Sequence, residues 1–294
     1  MGNGRFTSAD WAKLRTSRKI DEKTTNELFV RREMNPKFDP KYIGNRESRD
    51  SEEHPDSTPI IVGVDVTGSM GYLSTQIVKE SLNELMQKLY SSPLVPDPQL
   101  LFAAVGDADV DDAPLQVTQF ESDIRIAEQL LDLWLEGGGG DLPEDYELVW
   151  YFAARHTDTD SFRKRGKKGF CFTIGDASVH TKLSAEAIRK VFNDPADKDL
   201  KSTALAEEAG EKYELFHIVI GDGLDNLRHV IPGRVIHIHK TQVEYLPEIL
   251  ISVMQLTRGV SMKAVLGQWG DLAGSTVEAA VSSLVLPGKR GIRF

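Results

Sequence analysis

PIIVGVDVTGSM, residues 59–70, joins a short apolar run to a loop that carries several side-chain oxygens. The run at residues 59–64 has no charged or polar side chain, which is typical of a strand buried on both faces of a parallel sheet. It ends at Asp65. The segment after the loop predicts an amphipathic helix, because its apolar residues share one face. Those residues are Val78, Leu82, Leu85, Met86 and Leu89. This order predicts the first unit of an α/β domain.

Strands and helices alternate along the rest of the chain. Apolar runs predict strands at residues 100–105, 115–120 (a short edge strand), 169–174, 215–220 and 234–239. Helical patterns cover residues 122–135, 144–155, 184–192, 202–213, 247–256 and 275–286. The predicted fold class is α/β: a doubly wound, mostly parallel, Rossmann-like sheet flanked by helices. In such sheets, ligands bind beyond the carboxyl ends of the strands.

Composition divides the chain into three parts. Residues 1–57 form a polar N-terminal arm, with enough apolar side chains to pack on the body or on a neighbouring molecule. Residues 58–258 form the α/β domain, and residues 259–294 form a C-terminal extension ending in the basic sequence KRGIRF. Residues 1–58 hold 12 Lys and Arg against 11 Asp and Glu, whereas the remainder holds 23 against 34. The excess of negative charge therefore lies in the part of the chain after the arm.

The totals disfavour several classes of protein. A net charge of −10, concentrated in the body, disfavours nucleic-acid binding, which depends on neutralising phosphates. No apolar run approaches the roughly 18 residues of a membrane span, and we see no secretory signal, so a soluble cytoplasmic protein is expected. The single cysteine, Cys171, lies between two phenylalanines in a predicted strand and is expected to be an inert core thiol.

The loop after the first strand offers a carboxylate from Asp65 and hydroxyls from Thr67 and Ser69 at alternate positions. Hard cations such as Mg²⁺ prefer oxygen ligands of this kind. Because hydroxyls are neutral ligands, an ion that they hold retains affinity for a further carboxylate. The competing interpretation is a helix cap, since Ser69 precedes a helix that is expected to start near Gly71.

Asp65, Thr67 and Ser69 resemble the D-x-[ST]-x-S motif of the metal-ion-dependent adhesion site (MIDAS) in von Willebrand factor A domains. Members of that family have a strand before the motif and a long amphipathic helix after it, as is predicted here. The resemblance covers roughly residues 58–258. It implies that two further loops complete the metal site.

The first of these loops is GGGGDLPED, residues 137–145, which resembles the subgroup of the family with a GGGD-x-PE loop. Many relatives carry threonine in this loop, and the resemblance indicates Asp141 as the ligand in its place. The family's last ligand is an aspartate after the fourth strand, a position that Asp176 occupies. The alternatives are a flexible turn with Asp141 as a helix cap, and a turn aspartate at Asp176.

Four other clusters receive structural interpretations. The acidic residues 107–112 lack the glycine and the final glutamate of an EF-hand, so we expect a solvated loop. Residues 221–225 lack dinucleotide-binding spacing and predict a strand–helix turn. His237 and His239 alternate without an obvious third zinc ligand. The basic run at residues 163–168 predicts a solvated loop.

These observations predict a protein that binds a partner through a divalent metal ion and is not an enzyme. Mg²⁺, or else Mn²⁺ or Ca²⁺, would be held by Asp65, Thr67, Ser69, Asp141 and Asp176, and an open position would accept an Asp or Glu of a partner protein. One alternative is a metal-dependent phosphohydrolase. Another is a structural protein with a vestigial metal site, assembled into an oligomer through its terminal arms. Relatives of the family also act as adaptors beside AAA-class ATPases, and the resemblance therefore implies such an ATPase as a candidate partner.

Overall fold

A six-stranded sheet forms the centre of the molecule. The computed structural model describes residues 4–68, 70–138, 143–222 and 226–285. In chain order, the strands of this described part are β1 (Arg46–Ser48), β2 (Thr58–Asp65), β3 (Pro98–Val105), β4 (Leu115–Val117), β5 (Thr157–Thr159), β6 (Gly169–Gly175), β7 (Lys182–Leu183), β8 (Leu200–Lys201), β9 (Tyr213–Ile220) and β10 (Val235–Ile238). The central sheet has the order β10-β9-β6-β2-β3-β4, and every pair is parallel except β3 with β4.

The strand order reverses direction in the middle of this sheet. Counted along the chain, its strands lie in the order 3-2-1-4-5-6, which is the doubly wound arrangement. The reversal occurs between β2 and β6, which run side by side with Ile60 opposite Phe170 and Val64 opposite Ile174. The predicted fold class, a mostly parallel α/β sheet, is confirmed. The carboxyl ends of β2 and β6 flank the crevice in which ligands of such sheets bind.

Helices cover both faces of the sheet. In chain order, the described α-helices are α1 (Ser8–Arg18), α2 (Thr25–Leu28), α3 (Gly71–Gln76), α4 (Leu82–Ser91), α5 (Arg125–Leu130), α6 (Tyr146–Arg155), α7 (Asp160–Arg165), α8 (Ala185–Phe192), α9 (Ser202–Lys212), α10 (Leu227–Val230), α11 (Leu246–Thr257), α12 (Met262–Leu266) and α13 (Asp271–Val281). One π-helical turn, Ile77–Ser81, joins α3 to α4, and 3₁₀ turns lie at Pro40–Tyr42 and Lys240–Tyr245.

The strands divide their side chains between two apolar layers. Ile60, Val62 and Val64 of β2 belong to the layer that contains α4 and α11, whereas Ile61 belongs to the layer that contains α6, α8 and α9. Alternate residues of a strand point to opposite faces, so burial of both faces explains the uninterrupted apolar run. Gly63 allows α6 to approach closely, because a Cβ there would lie 3.0 Å from the Cγ2 atom of Val149.

Two predicted helices differ from the structure. The segment predicted as a helix at residues 122–135 contains only the six residues of α5, because Gln116 holds the backbone of Trp134 through two hydrogen bonds of 2.7 and 3.0 Å. The helix predicted at residues 275–286 starts four residues earlier, at Asp271, and ends at Val281. Residue 286 and the basic tail that follows it lie outside the described residues.

The N-terminal arm packs on the domain and protects an edge of its sheet. Seven of its apolar side chains belong to the core layer of α4 and α11: Phe6, Trp11, Leu14, Ile20, Leu28, Phe29 and Phe38. The backbone N–H of Val117, on the edge strand β4, donates to the carbonyl of Phe38 at 2.8 Å. Arg46 donates to the carbonyl of Val117 at 2.9 Å. The arm therefore covers hydrogen-bonding groups that an edge strand otherwise exposes.

The C-terminal extension also packs on the α4 and α11 layer. The indole N–H of Trp269 donates to the Ser252 hydroxyl of α11 at 2.8 Å. The ammonium nitrogen of Lys88 lies 4.2 Å from the centre of the Trp269 ring, a cation–π contact. Within the described ranges, no helix is long and apolar enough to cross a bilayer.

Candidate metal centre

Asp65 is the last residue of β2 and is 1% exposed. Its Oδ1 atom accepts two hydrogen bonds from Thr67, one from the backbone N–H at 2.9 Å and one from the hydroxyl at 2.6 Å. The first residue after β2 still pairs with β3, because the N–H of Val66 donates to the carbonyl of Val105 at 3.0 Å. These contacts hold the carboxylate and the hydroxyl of the predicted motif side by side.

The direction of the Thr67 hydrogen bond decides what its hydroxyl can do. A hydroxyl has one proton and two lone pairs. Thr67 gives that proton to Asp65, so its lone pairs remain for a cation. An oxygen of this kind is a suitable ligand for Mg²⁺, Mn²⁺ or Ca²⁺. The geometry at Asp65 and Thr67 therefore fits the metal that the sequence predicts.

Tyr146, the first residue of α6, completes the hydrogen bonding of Asp65. Its hydroxyl donates to the Oδ2 atom of Asp65 at 3.0 Å, and the tyrosine is fully buried. The same hydroxyl accepts from the N–H of Ala177 at 3.4 Å. Tyr146 does not stand out in the sequence. An aromatic residue at the start of an amphipathic helix has the pattern of a core residue.

Asp176 follows the end of β6 and is half-buried. Burial, reinforced by the negative charge of Asp176, raises the pKa of Asp65 to about 6, against the opposing hydrogen bonds from Thr67 and Tyr146. Burial and the charge of Asp176 also raise the pKa of Tyr72, on the first turn of α3. Asp65 and Thr67 are therefore hydrogen-bonded to each other at the end of β2, and Asp176 follows the end of the adjacent β6, on the other side of the same crevice.

The other two predicted ligands, Ser69 and Asp141, lie outside the described residues and stay predictions. The described neighbours of these positions are in contact. The N–H of Gly68 donates to the carbonyl of Gly138 at 3.0 Å. This bond ties the loop of the motif to the glycine-rich loop that contains Asp141 in the sequence.

Glu144 adds a buried carboxyl group beside Asp65. It is 5% exposed, and its Oε2 atom has no hydrogen-bond partner. Burial raises its pKa to about 8, together with the negative charges of Asp65, Asp107, Asp145 and Asp111 in decreasing order. The backbone of Glu144 is fixed to the loop after β6, because its N–H donates to the carbonyl of Ser178 at 2.8 Å.

The acidic loop at residues 107–112 is folded back on itself, and the prediction of a fully solvated loop is wrong for Asp107 and Asp111, which are buried. Asp107 Oδ1 accepts from the N–H groups of Asp109 and Val110 at 2.7 and 3.2 Å. Asp111 Oδ2 accepts from the N–H of Asp107 at 2.8 Å. Sequence spacing does not show that these carboxylates cap their own loop.

Asp145 links this acidic loop to α6. Its Oδ2 atom accepts from the N–H of Ala108 at 2.6 Å, and its Oδ1 atom lies 3.7 Å from Nε2 of His180. Together with Glu144 and Tyr146, it forms a three-residue connector, residues 144–146. This connector contacts the end of β2 and the loops after β3 and β6.

The remaining clusters lie away from this centre or have structural roles. Residues 163–165 of the basic run form the end of α7 rather than a loop, and residues 166–168 form the loop after it; Arg165 pairs with Asp50 at 2.7 Å. His237 lies on β10, whereas His239 caps the 3₁₀ turn that follows. Cys171 is buried in the core as predicted, and burial raises the pKa of its thiol. Residues 223–225 of the predicted turn lie outside the described residues.

In the described part of the chain, no group of three or more His, Cys, Asp or Glu side chains is arranged to hold a metal ion. The centre at β2 and β6 has a different composition, since it combines two carboxylates with a hydroxyl.

The sequence matches no protein-family model and no curated protein. Among solved structures, the chain is similar to the pilus adhesin SpaC from Lactobacillus rhamnosus GG, with 9% identity and a TM-score of 0.46 over 72% of this chain and 32% of SpaC. It is also similar to proximal thread matrix protein 1 from the mussel byssus, in a form with a zinc-occupied MIDAS motif. That likeness has 13% identity and a TM-score of 0.45, over 71% of this chain and 49% of the mussel protein.

This chain spans less than half of the length of either structure. Its resemblance to von Willebrand factor A domains rests on its own motif and on the strand–helix junction that carries the motif.

Proposed function

We propose that this protein binds a partner protein through a divalent metal ion held at the carboxyl ends of β2 and β6. One observation carries the proposal: the hydrogen-bonded pair Asp65 and Thr67 lies at the end of β2, Asp176 follows the end of the neighbouring β6, and the strand order reverses between these two strands. Thr67 would be a ligand through its free lone pairs, and the two aspartates would supply the negative charge. Ser69 and Asp141 are the further ligands that the resemblance implies.

The charge around the centre supports a cation that is shared with a partner. Exposed Asp109 and Asp112 and half-buried Asp176 make this edge acidic, so it repels the acidic side chain of another protein. A bound divalent cation reverses the local sign of the field. The ion would then attract an Asp or Glu carboxylate, while the acidic rim would favour basic residues beside that carboxylate.

The hydrogen bonds of Asp65 hold its carboxylate in one orientation. Both Asp65 oxygens accept hydrogen bonds, from Thr67 and from Tyr146. We propose that Asp65, held in this way, acts as an anchor of the metal centre and that the protein is not an enzyme.

Thermal and chemical unfolding with Mg²⁺, Mn²⁺, Ca²⁺ or EDTA test the metal. At 100 times its dissociation constant, a bound ion stabilises the folded protein by about 2.7 kcal/mol. We expect this shift for the wild type and its loss in Asp65→Ala. The absence of a shift with every ion in the wild type would overturn the proposal.

Acetate provides a test of the open coordination position. In the presence of the Mn²⁺-loaded protein, the relaxation of the acetate methyl protons should accelerate, because the carboxylate approaches the paramagnetic ion. Asp65→Ala, measured at the same concentration of free Mn²⁺, corrects for the relaxation caused by free Mn²⁺. Equal relaxation in both proteins would contradict carboxylate capture. Turnover of p-nitrophenyl phosphate by the Mn²⁺-loaded wild type, absent in Asp65→Ala, would favour the phosphohydrolase instead.

A further inference from the structure

We propose that Tyr146 is a positioning residue of the metal centre, which sets the orientation of the Asp65 carboxylate and the separation of the β2 and β6 ends. This inference rests on the proposed function. It concerns a residue that the motif does not include and that makes its contacts from a helix rather than from a metal-site loop.

The Tyr146 hydroxyl lies between the two strand ends. It donates to the Oδ2 atom of Asp65 at 3.0 Å, at the end of β2. It accepts from the N–H of Ala177 at 3.4 Å, in the residue after Asp176. The Tyr146 hydroxyl oxygen thus links the backbone next to Asp176 to the side chain of Asp65.

The position of this hydroxyl depends on the absence of a side chain at Gly175. A Cβ atom at that position would lie 1.9 Å from the Tyr146 hydroxyl oxygen and 2.7 Å from Cζ. Gly175 is the last residue of β6, so any other residue would displace the phenol from the gap between the strands.

The Tyr146 ring is also held from the side. The His217 ring, on β9, packs against it with the ring centres 4.6 Å apart and the planes at 60°. His217 is itself fixed by a 2.8 Å hydrogen bond between its Nδ1 atom and the Thr173 hydroxyl. Burial lowers the pKa of His217 to about 3, so its ring is neutral. A fully buried ring with these neighbours has little freedom to turn.

Thr67 holds one oxygen of Asp65 and Tyr146 holds the other, so the carboxylate cannot rotate about its Cβ–Cγ bond without losing a hydrogen bond. Partners that orient the ligands of a metal typically change metal affinity about 10- to 100-fold when they are removed. Removal of the Tyr146 hydroxyl should therefore weaken metal binding while the protein remains folded.

The test compares two tyrosines in the full chain. Tyr146→Phe removes the hydroxyl at the metal centre. Tyr213→Phe removes another buried hydroxyl, which donates to Thr157 at 2.9 Å at the amino end of the sheet. The Mn²⁺ dissociation constant is measured from the electron paramagnetic resonance signal of free Mn²⁺, and the stability of each variant is measured by urea unfolding in EDTA.

We expect the Mn²⁺ dissociation constant to increase about tenfold in Tyr146→Phe and less than twofold in Tyr213→Phe. Both variants should lose stability in EDTA, because each loses a buried hydrogen bond. An unchanged dissociation constant in Tyr146→Phe would overturn the inference. Equal weakening in the two variants would also overturn it, since the effect would then be one of general stability.

Gly175→Ala provides a second route to the same change, because it displaces the hydroxyl without altering Tyr146. In the Tyr146→Phe background, Gly175→Ala should weaken Mn²⁺ binding by much less than it does in the wild type. Independent, multiplicative effects of the two substitutions would contradict a shared action through the hydroxyl. If the wild type does not bind Mn²⁺, the proposed function fails first. If the wild type binds and Tyr146→Phe binds equally well, only the role of Tyr146 fails.

Discussion

The two ends of the central sheet treat their acidic side chains in opposite ways. At the amino end, Asp50 lies 2.7 Å from Arg165 and 3.2 Å from Lys164, and these contacts outweigh burial and hold its pKa well below the usual range. At the carboxyl end, burial raises the pKa of Asp65 to about 6 and that of Glu144 to about 8.

The difference lies in the neighbours and not in the residue type. At the amino end, Asp160 repeats the behaviour of Asp50. Burial alone would raise its pKa, but bonds from Lys164, the Asp50 backbone and Arg163 lower it to about 2. Glu144 faces other carboxylates. A buried acid whose charge is matched stays ionised, and its removal is costly because it leaves the paired cations without their partner. A buried acid beside further acids costs stability until a cation or proton arrives, and such residues are characteristic of functional sites.

The largest expected effect is at the amino end. Asp50→Ala removes a carboxylate that accepts from Arg165, Lys164 and Ser57, and leaves two cations with fewer partners. The free energy of unfolding should fall by about 3 kcal/mol at pH 7, the lower end of the loss for a broken buried ion pair, because Lys164 is 50% exposed. Urea unfolding measures it, with the exposed Asp109→Ala as the control. Similar losses in the two variants would remove the distinction between the sheet ends.

Glu144→Gln should increase the free energy of unfolding of the metal-free protein, in contrast to Asp50→Ala. The folded-state pKa of Glu144 is raised from 4.5 to about 8. The contribution of its protonated carboxyl to the free energy of unfolding is therefore fully present below pH 4.5 and is lost as the pH rises toward 8. At pH 8 in EDTA, the amide should raise the free energy of unfolding by on the order of 3 kcal/mol. At pH 4.5, wild type and variant should be equally stable. A gain that is the same at both pH values would contradict the role of ionisation.

Thr67→Val tests the hydroxyl that faces the proposed ion. Valine has nearly the same shape, so the fold should persist, whereas Mn²⁺ binding should weaken about tenfold, or about 1.4 kcal/mol. Thr157→Val, which changes a buried threonine at the amino end, is the matched control. Calorimetric titration with Mn²⁺ measures both variants. If they bind alike, the Thr67 hydroxyl is not a ligand.

Arg163→Ala should have the smallest effect. Arg163 also pairs with Asp160, but its side chain is 56% exposed. Exposed ion pairs contribute about 0.5 kcal/mol. Urea unfolding at low and at 1 M salt should show a small loss that disappears at the higher ionic strength. A loss as large as that of Asp50→Ala would show that the exposure of these ion pairs does not determine how much stability each contributes.

Local sequence patterns predict several features of the fold and of the candidate metal centre. The apolar run of β2 and the amphipathic helix after it indicate a strand–loop–helix junction. Because the carboxyl ends of parallel strands share one edge of a sheet, the positions of Asp65 and Asp176 in the chain indicate that both lie at that edge. The same reasoning predicts that Thr67, two residues beyond the end of β2, lies at that edge.

Short elements and cross-chain contacts are less accessible to such reasoning. The strands β1, β5, β7 and β8 have only two or three residues each, too few for a periodic pattern. The arm that covers β4 is polar in composition, and its packing depends on single residues such as Phe38. The end of the helix predicted at residues 122–135 depends on Gln116, which lies on another element.

By itself, the sequence determined the alternation of strands and helices and the acidic loops at the strand ends, because these follow from periodicities of neighbouring residues. Only the tertiary structure decided that Tyr146 reaches Asp65, that Glu144 is crowded by carboxylates and that Asp50 is matched by cations. Those outcomes depend on distances between residues far apart in the chain. Electrostatic and hydrogen-bond energies change steeply with such distances, and sequence spacing does not specify them.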